Sequence, residues 1–168
     1  MRFLIFIVSL ACLSSCTTTY YVVRHAEKEI IPGESDPDLT AAGAQRAQDL
    51  WTFLQDKGID SVFVTQYKRT QQTAQPTATG SGNSLIEMDA GNVSALVNTL
   101  KRMPRNKQIL IVGHSNTTPQ LVDGLMESPQ GIMINDATEF DNLFIVKIKH
   151  ENPKKRNLQK LKYGQPSL

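Results

Sequence analysis

Cysteine is nearly absent: 168 residues hold two thiols, Cys12 and Cys16, both near the N-terminus. From residue 17 onward no disulfide can form, and no cysteine can enter a zinc cluster. Histidine is scarce too, with His25, His114 and His150 its three members, and no His/Asp/Glu group shows metal-ligand spacing. No apolar run is long enough to cross a bilayer. The longest, FLIFIVSLACL at residues 3–13, would rise about 16 Å as a helix against a hydrocarbon core of about 30 Å. Positive charge is missing from the body of the chain. Residues 16–146 carry 10 Lys and Arg against 15 Asp and Glu, whereas residues 147–168 carry seven basic groups and one acid, Glu151. A body of that sign is a poor general nucleic-acid binder. Internal repeats are lacking as well.

What is present suits one packed domain: 40% hydrophobic and 20% charged residues over a length typical of a single unit. A basic start at Arg2, a short apolar core and small residues after it have the organisation of a secretory signal peptide. The run ends Leu13-Ser14-Ser15-Cys16, which resembles a bacterial lipobox, where cleavage precedes a lipidated cysteine. The expected division is a lipoprotein-type signal at 1–15, a short tether at 16–19 and one domain at 20–168. Acyl chains on Cys16 would anchor the domain to a membrane of the cell envelope on its extracytoplasmic side. The basic C-terminal segment would then either face anionic headgroups or form a solvated edge.

Residues 20–23 (YYVV) predict a first strand. Thr40 caps a helix to about residue 57, with Ala47, Leu50, Trp51 and Leu54 at helical spacing and Gly58 as its stop. Strands follow at 62–64 and 85–88, with a brief helix from 68 broken at Pro76 between them. A helix capped by Asn92 carries Val93, Leu96, Val97 and Leu100. Ile109 to Val112 is continuously apolar, as in a strand covered on both faces. A helix bearing Leu121, Val122 and Leu125 comes next, then strands at 142–149 and 158–163. This alternation predicts an α/β fold, a three-layer αβα sandwich on a mostly parallel central sheet.

In such sheets ligands bind beyond the carboxyl ends of the strands. The residues there are Arg24 and His25, Arg69, Glu87 and His114. Two arginines aimed at one place suit a multiply charged oxyanion such as phosphate. A neutral His between them can attack phosphorus. A second His can stabilise charge in flight, and a carboxylic acid can protonate the leaving group. None of these steps calls for a metal or a cofactor.

Four ordered segments carry a family resemblance: Tyr21-Val22-Val23-Arg24-His25-Ala26-Glu27-Lys28, Asp38-Leu39-Thr40-Ala41-Ala42-Gly43, Tyr67-Lys68-Arg69-Thr70-Gln71-Gln72-Thr73-Ala74 and Ile111-Val112-Gly113-His114-Ser115-Asn116-Thr117. Together they resemble the histidine phosphatase superfamily, also called phosphoglycerate mutase-like. The resemblance implies that His25 is the phosphorylated nucleophile and that Arg24, Arg69 and His114 complete the phosphate pocket. Two departures stand out. Ala26 occupies a position where many members have Gly, and Ser115 follows the second His where the acid phosphatase branch has an acidic proton donor. In the mutase-like branch the donor is a Glu near the end of a middle strand, which Glu87 resembles; Glu27 and Glu139 are rivals.

The expected function is a metal-independent phosphomonoester phosphatase acting on a small phosphorylated substrate through phosphohistidine. The alternatives are a non-catalytic phospholigand-binding lipoprotein, a mutase-type phosphotransferase and, if the N-terminal segment stays uncleaved, a cytoplasmic phosphohistidine-protein phosphatase. A mutase must shield its phosphoenzyme from water, and the chain has no long insertion to serve as a lid.

Overall fold

The computed structural model describes residues 16–151 and 154–167. The expected signal segment, 1–15, lies outside them. Ten elements follow in order: β1 (Thr17–Arg24), α1 (Ala41–Leu54), β2 (Ser61–Thr65), α2 (Lys68–Ser81), β3 (Leu85–Met88), α3 (Val93–Arg102), β4 (Gln108–Gly113), α4 (Thr117–Met126), β5 (Asn142–Lys149) and β6 (Lys155–Lys162). The strands form one sheet in the order β3-β2-β4-β1-β5-β6. β1, β2, β3 and β4 run parallel, whereas β5 pairs antiparallel with both β1 and β6.

Side-chain alternation on the strands builds two cores. Val22, Phe63, Ile109, Ile111 and Phe144 face α3 and α4, where Leu96, Val97, Leu100, Leu121 and Leu125 cover them. Val23, Val62, Val64, Leu110 and Val112 face α1 and α2, packing on Leu50, Leu54, Ala74 and Ala78. The central strands β1 and β4 are covered on both faces, hence their near-continuous apolar sequences. The result is the expected three-layer α/β sandwich.

Three boundaries differ from expectation. Residues 17–19 are not a tether: they extend β1, with Thr17 opposite Lys149 and Thr19 opposite Lys147. Threonine is β-prone, and an open edge of β5 beside it completes the ladder. β6 likewise begins at Lys155, three residues before its expected start. Helix α2 does not break at Pro76 but runs through it to Ser81. The proline costs about 3 kcal/mol in a helix interior. Burying the small face of Thr70, Thr73, Ala74, Thr77 and Ala78 outweighs that cost.

Candidate active site

β1 and β4 are neighbours in register, with Arg24 opposite Gly113. The next residues on the two strands, His25 and His114, therefore leave the sheet side by side. The His25 amide donates to the Gly113 carbonyl at 2.9 Å, and the two imidazoles meet edge to face with centroids 5.4 Å apart. Both are buried.

The backbone after His25 is held by α1. Thr40 N–H donates to the Glu27 carbonyl, and the Thr40 side chain caps α1 by accepting from Gly43 N–H. Gly43 packs so tightly on this segment that a Cβ there would lie 2.1 Å from the Glu27 oxygen. This close approach explains the glycine of the Asp38–Gly43 motif. From the other side Thr73 Oγ1 accepts the Ala26 amide at 2.9 Å.

The histidine tautomer follows from one contact. His25 Nδ1 lies 2.8 Å from the Ala26 carbonyl oxygen, which can only accept. Nδ1 therefore carries the proton, and Nε2 presents its lone pair. Burial pushes the His25 pKa down to about 3, against the Ala26 bond and with the help of Arg24, His114 and Arg69. His114 is pushed down to about 4 by burial and then by Arg69 and Arg24. Its Nε2 is engaged by Thr65 Oγ1 at 3.0 Å, and that hydroxyl is 2.9 Å from Thr70 Oγ1. Nδ1 is the His114 nitrogen left for a ligand.

The two arginines differ in setting. Arg24 is 2% exposed, and its Nη atoms donate to the carbonyls of Asn135, Asp136 and Glu139 and to the Asp136 carboxylate. Its guanidinium stacks 4.0 Å from the Phe140 ring centroid. Arg24 therefore holds the loop before β5; its charge bears on both histidines, but it is not among the residues that line the pocket. Arg69, at the start of α2, lies 4.2 Å from the Tyr67 ring centroid and 3.5 Å from Asp36. In both arginines Nε is buried without a partner. An unpaired buried donor is costly, and guanidinium donors of this kind suit an oxyanion. The pocket has a volume of about 360 Å³, and its lining includes His25, Lys28, Arg69, His114, Ser115 and Asp136.

The sequence-based choices of general acid fare differently. Glu87 does not reach the pocket. It is exposed on the edge strand β3, in register with Val64 of the α1–α2 core, because the next residue, Met88, packs on the opposite core. Ala90 and Gly91, just beyond it, do line the pocket. Glu27 is consumed by Arg46, whose Nε and Nη2 bond its carboxylate at 2.6–3.0 Å. The Glu139 carboxylate accepts the Asn135 amide. The carboxylate that lines the pocket is Asp136, which pattern reading missed. Ser115 donates to it at 2.5 Å, and that bond, with Arg24 behind it, holds Asp136 below the usual carboxylate range. The absence of an acid beside His114 was a visible signal that another residue fills the role. Nothing in the irregular 135–141 segment marks Asp136 itself.

Among the described residues no group of three or more His, Cys, Asp or Glu side chains is placed to hold a metal. Fold and pocket define an α/β protein in which two buried histidines and an arginine line one pocket at the carboxyl ends of parallel strands. Comparison with known proteins agrees. A model of the histidine phosphatase superfamily (branch 1) matches residues 20–93. The probable phosphoglycerate mutase GpmB of Escherichia fergusonii is 30% identical over 126 residues, 71% of this chain and 57% of that protein. The chain thus spans a little over half the length of the curated relatives it matches. The solved structure of the protein histidine phosphatase SixA in complex with tungstate shares the fold, with a TM-score of 0.62, 18% identity and coverage of 86% and 96% of the two chains. A mycobacterial glucosyl-3-phosphoglycerate phosphatase does so at 0.64, 11% identity and coverage of 88% and 100%. The sequence match to that superfamily thus covers residues 20–93, under half of the chain, and the solved structures support the shared fold.

Proposed function

We propose that the chain is a phosphatase of small phosphorylated substrates that works through a covalent phosphohistidine on His25. The observation that carries this reading is that His25, Arg69 and His114 line one pocket, with buried, unpartnered Nε donors on Arg69 and on neighbouring Arg24 and with the His25 Nδ1 held by the Ala26 carbonyl. Such donors suit the charge on a transferring phosphoryl group. The tungstate complex of the structural neighbour SixA is consistent with a tetrahedral oxyanion on this fold.

In the first step the Nε2 lone pair forms a bond to phosphorus, and the bond from phosphorus to the leaving atom breaks, its electron pair leaving with that atom. Arg24, Arg69 and His114 Nδ1 surround the phosphoryl oxygens. In the second step water attacks phosphorus, the P–N bond breaks, and Nε2 regains its lone pair. Asp136 is ionised and lines the pocket, so it can take the proton from that water. It is a poor donor in the first step for the same reason. Leaving groups that depart without a proton, such as the phenolates of aryl phosphates, are therefore favoured over the alkoxides of alkyl phosphates. Asp136→Asn should slow breakdown of the phosphoenzyme more than its formation.

Turnover of an aryl phosphate with a first-turnover burst supports this reading. Tight vanadate binding with neither burst nor turnover would identify a non-catalytic phospholigand-binding protein instead. From residues 1–16 of the sequence we further propose an envelope lipoprotein anchored through Cys16, which is exposed at the start of the described structure. Retention of residues 1–15 on the native protein would contradict that placement.

A further inference from the structure

We propose that the end of the domain opposite the pocket is a docking surface for an anionic lipid bilayer, so that the bound protein presents its pocket away from the membrane. The inference does not depend on the phosphatase reading. The chain enters the fold at Cys16, at the start of β1, and the pocket lies past the other end of the same strand. His25 is nine residues on, roughly 30 Å at about 3.3 Å per residue.

Basic side chains gather around the entry point from two separate stretches of sequence. The turn before β4 supplies Arg105 and Lys107, and Lys107 accepts the Thr19 amide through its carbonyl. The β5–β6 hairpin supplies Lys147, Lys149, Lys154 and Lys155. Ladder register puts Thr17 beside Lys149 and Lys149 beside Lys155, so these side chains share one face of the sheet. The His150 amide bonds the Cys16 carbonyl, and Arg105, Lys154 and Arg156 all bear on the His150 ring, which confirms that both stretches converge there.

The local acids cover only part of this charge. Asp60 takes Lys107, Glu151 takes Lys155 and Glu127 takes Arg156. Among the described residues Arg105, Lys147, Lys149 and Lys154 have no ion-pair partner, and the three lysines are exposed. The opposite end carries charge of both signs, with Lys28, Lys68 and Arg69 among its acids. Glu29, Glu34, Asp36, Asp38, Asp89 and Asp136 lie on the loops after β1, β3 and α4. The unpaired basic charge is thus gathered where the chain enters, whereas charge around the pocket is of both signs.

A bilayer fits this arrangement better than a nucleic acid or an acidic protein. In the precursor the apolar run at residues 3–13, and after processing the proposed lipid on Cys16, joins the domain where β1 begins, beside the basic face. One weak membrane signal gives marginal binding, and an apolar segment joined to a polybasic patch gives stable binding. At a Debye length of about 8 Å, a pocket roughly 30 Å away is screened from the lipid charge. Soluble phosphorylated anions can then reach it without repulsion from the lipid, whereas phosphate groups of the supporting bilayer are out of reach.

The test is partitioning of the full chain onto phosphatidylcholine vesicles with and without phosphatidylglycerol. The apolar segment contributes to both, so the ratio between them isolates the basic face. Near a charged surface each Lys or Arg is worth about a fivefold gain in binding. The triple variant K147E/K149E/K154E should therefore lose the anionic-lipid gain by about tenfold or more, and the neutral variant K147Q/K149Q/K154Q should lose part of it. Unchanged thermal unfolding shows that both are folded. Lys68→Glu, at the pocket end, should leave the ratio intact. Equal partitioning of the wild type onto the two vesicle types would overturn the proposal. So would an undiminished ratio in the triple variant, or tighter binding to an oligonucleotide than to the anionic vesicles.

Discussion

At the scale of single residues, the chemistry rests on keeping His25 uncharged next to two arginines. Burial does most of this, and the cations add to it. The Ala26 carbonyl does the rest by choosing which nitrogen keeps its proton. Arg69 is the more replaceable of the two arginines, because Arg24 also ties down the loop before β5. A charge-assisted bond of this kind contributes about 1.5–3 kcal/mol, so Arg69→Ala should lower kcat/KM by roughly one to two decades. Arg69→Lys should recover little of the loss, since lysine has no Nε donor in the guanidinium plane. Steady-state kinetics on an aryl phosphate checks both, and full activity in Arg69→Ala would remove Arg69 from the anion site.

At the scale of elements, α1 acts as a brace for the segment that carries His25. Gly43 allows the contact, and Gly43→Ala would drive a methyl group into the Glu27 carbonyl. Overpacking of this kind costs about 1–3 kcal/mol. Chemical denaturation should show that loss, with activity falling further than stability alone explains, because the displaced backbone also positions His25. Most elements were legible in the sequence for simple reasons. Residues 109–112 are apolar throughout because β4 is covered on both faces, and Thr40 and Asn92 cap α1 and α3 through their side chains. The misreadings have separate physical origins. Residues 17–19 join the ladder because β5 lies beside a β-prone threonine run, and Pro76 sits where packing overrides local preference. Asp136 sits in an irregular loop, where no periodicity points to it. Glu87 matched a pattern in spacing, but strand alternation turned it from the pocket.

At the scale of the whole molecule, two buried neutral histidines couple the fold to pH. Their folded pKa values, about 3 and about 4, lie below the ordinary value of 6.5. Between those limits the unfolded chain binds protons that the folded chain excludes, so stability rises with pH through this window and levels off above it. Urea denaturation from acid to neutral pH should show that slope, and His25→Asn should flatten part of it. A bound oxyanion should raise stability further by mass action.

The central claim, that His25 Nε2 carries the phosphoryl group, is tested most directly by trapping the phosphoenzyme. The full chain is mixed with an aryl phosphate, quenched in base, where phosphohistidine survives, and examined by phosphorus NMR and peptide mass spectrometry. One phosphoryl group per chain, on the Nε2 of His25 and missing in His25→Ala, is the predicted result. A phosphoryl group on any other residue, or turnover that persists in His25→Ala, would contradict the account.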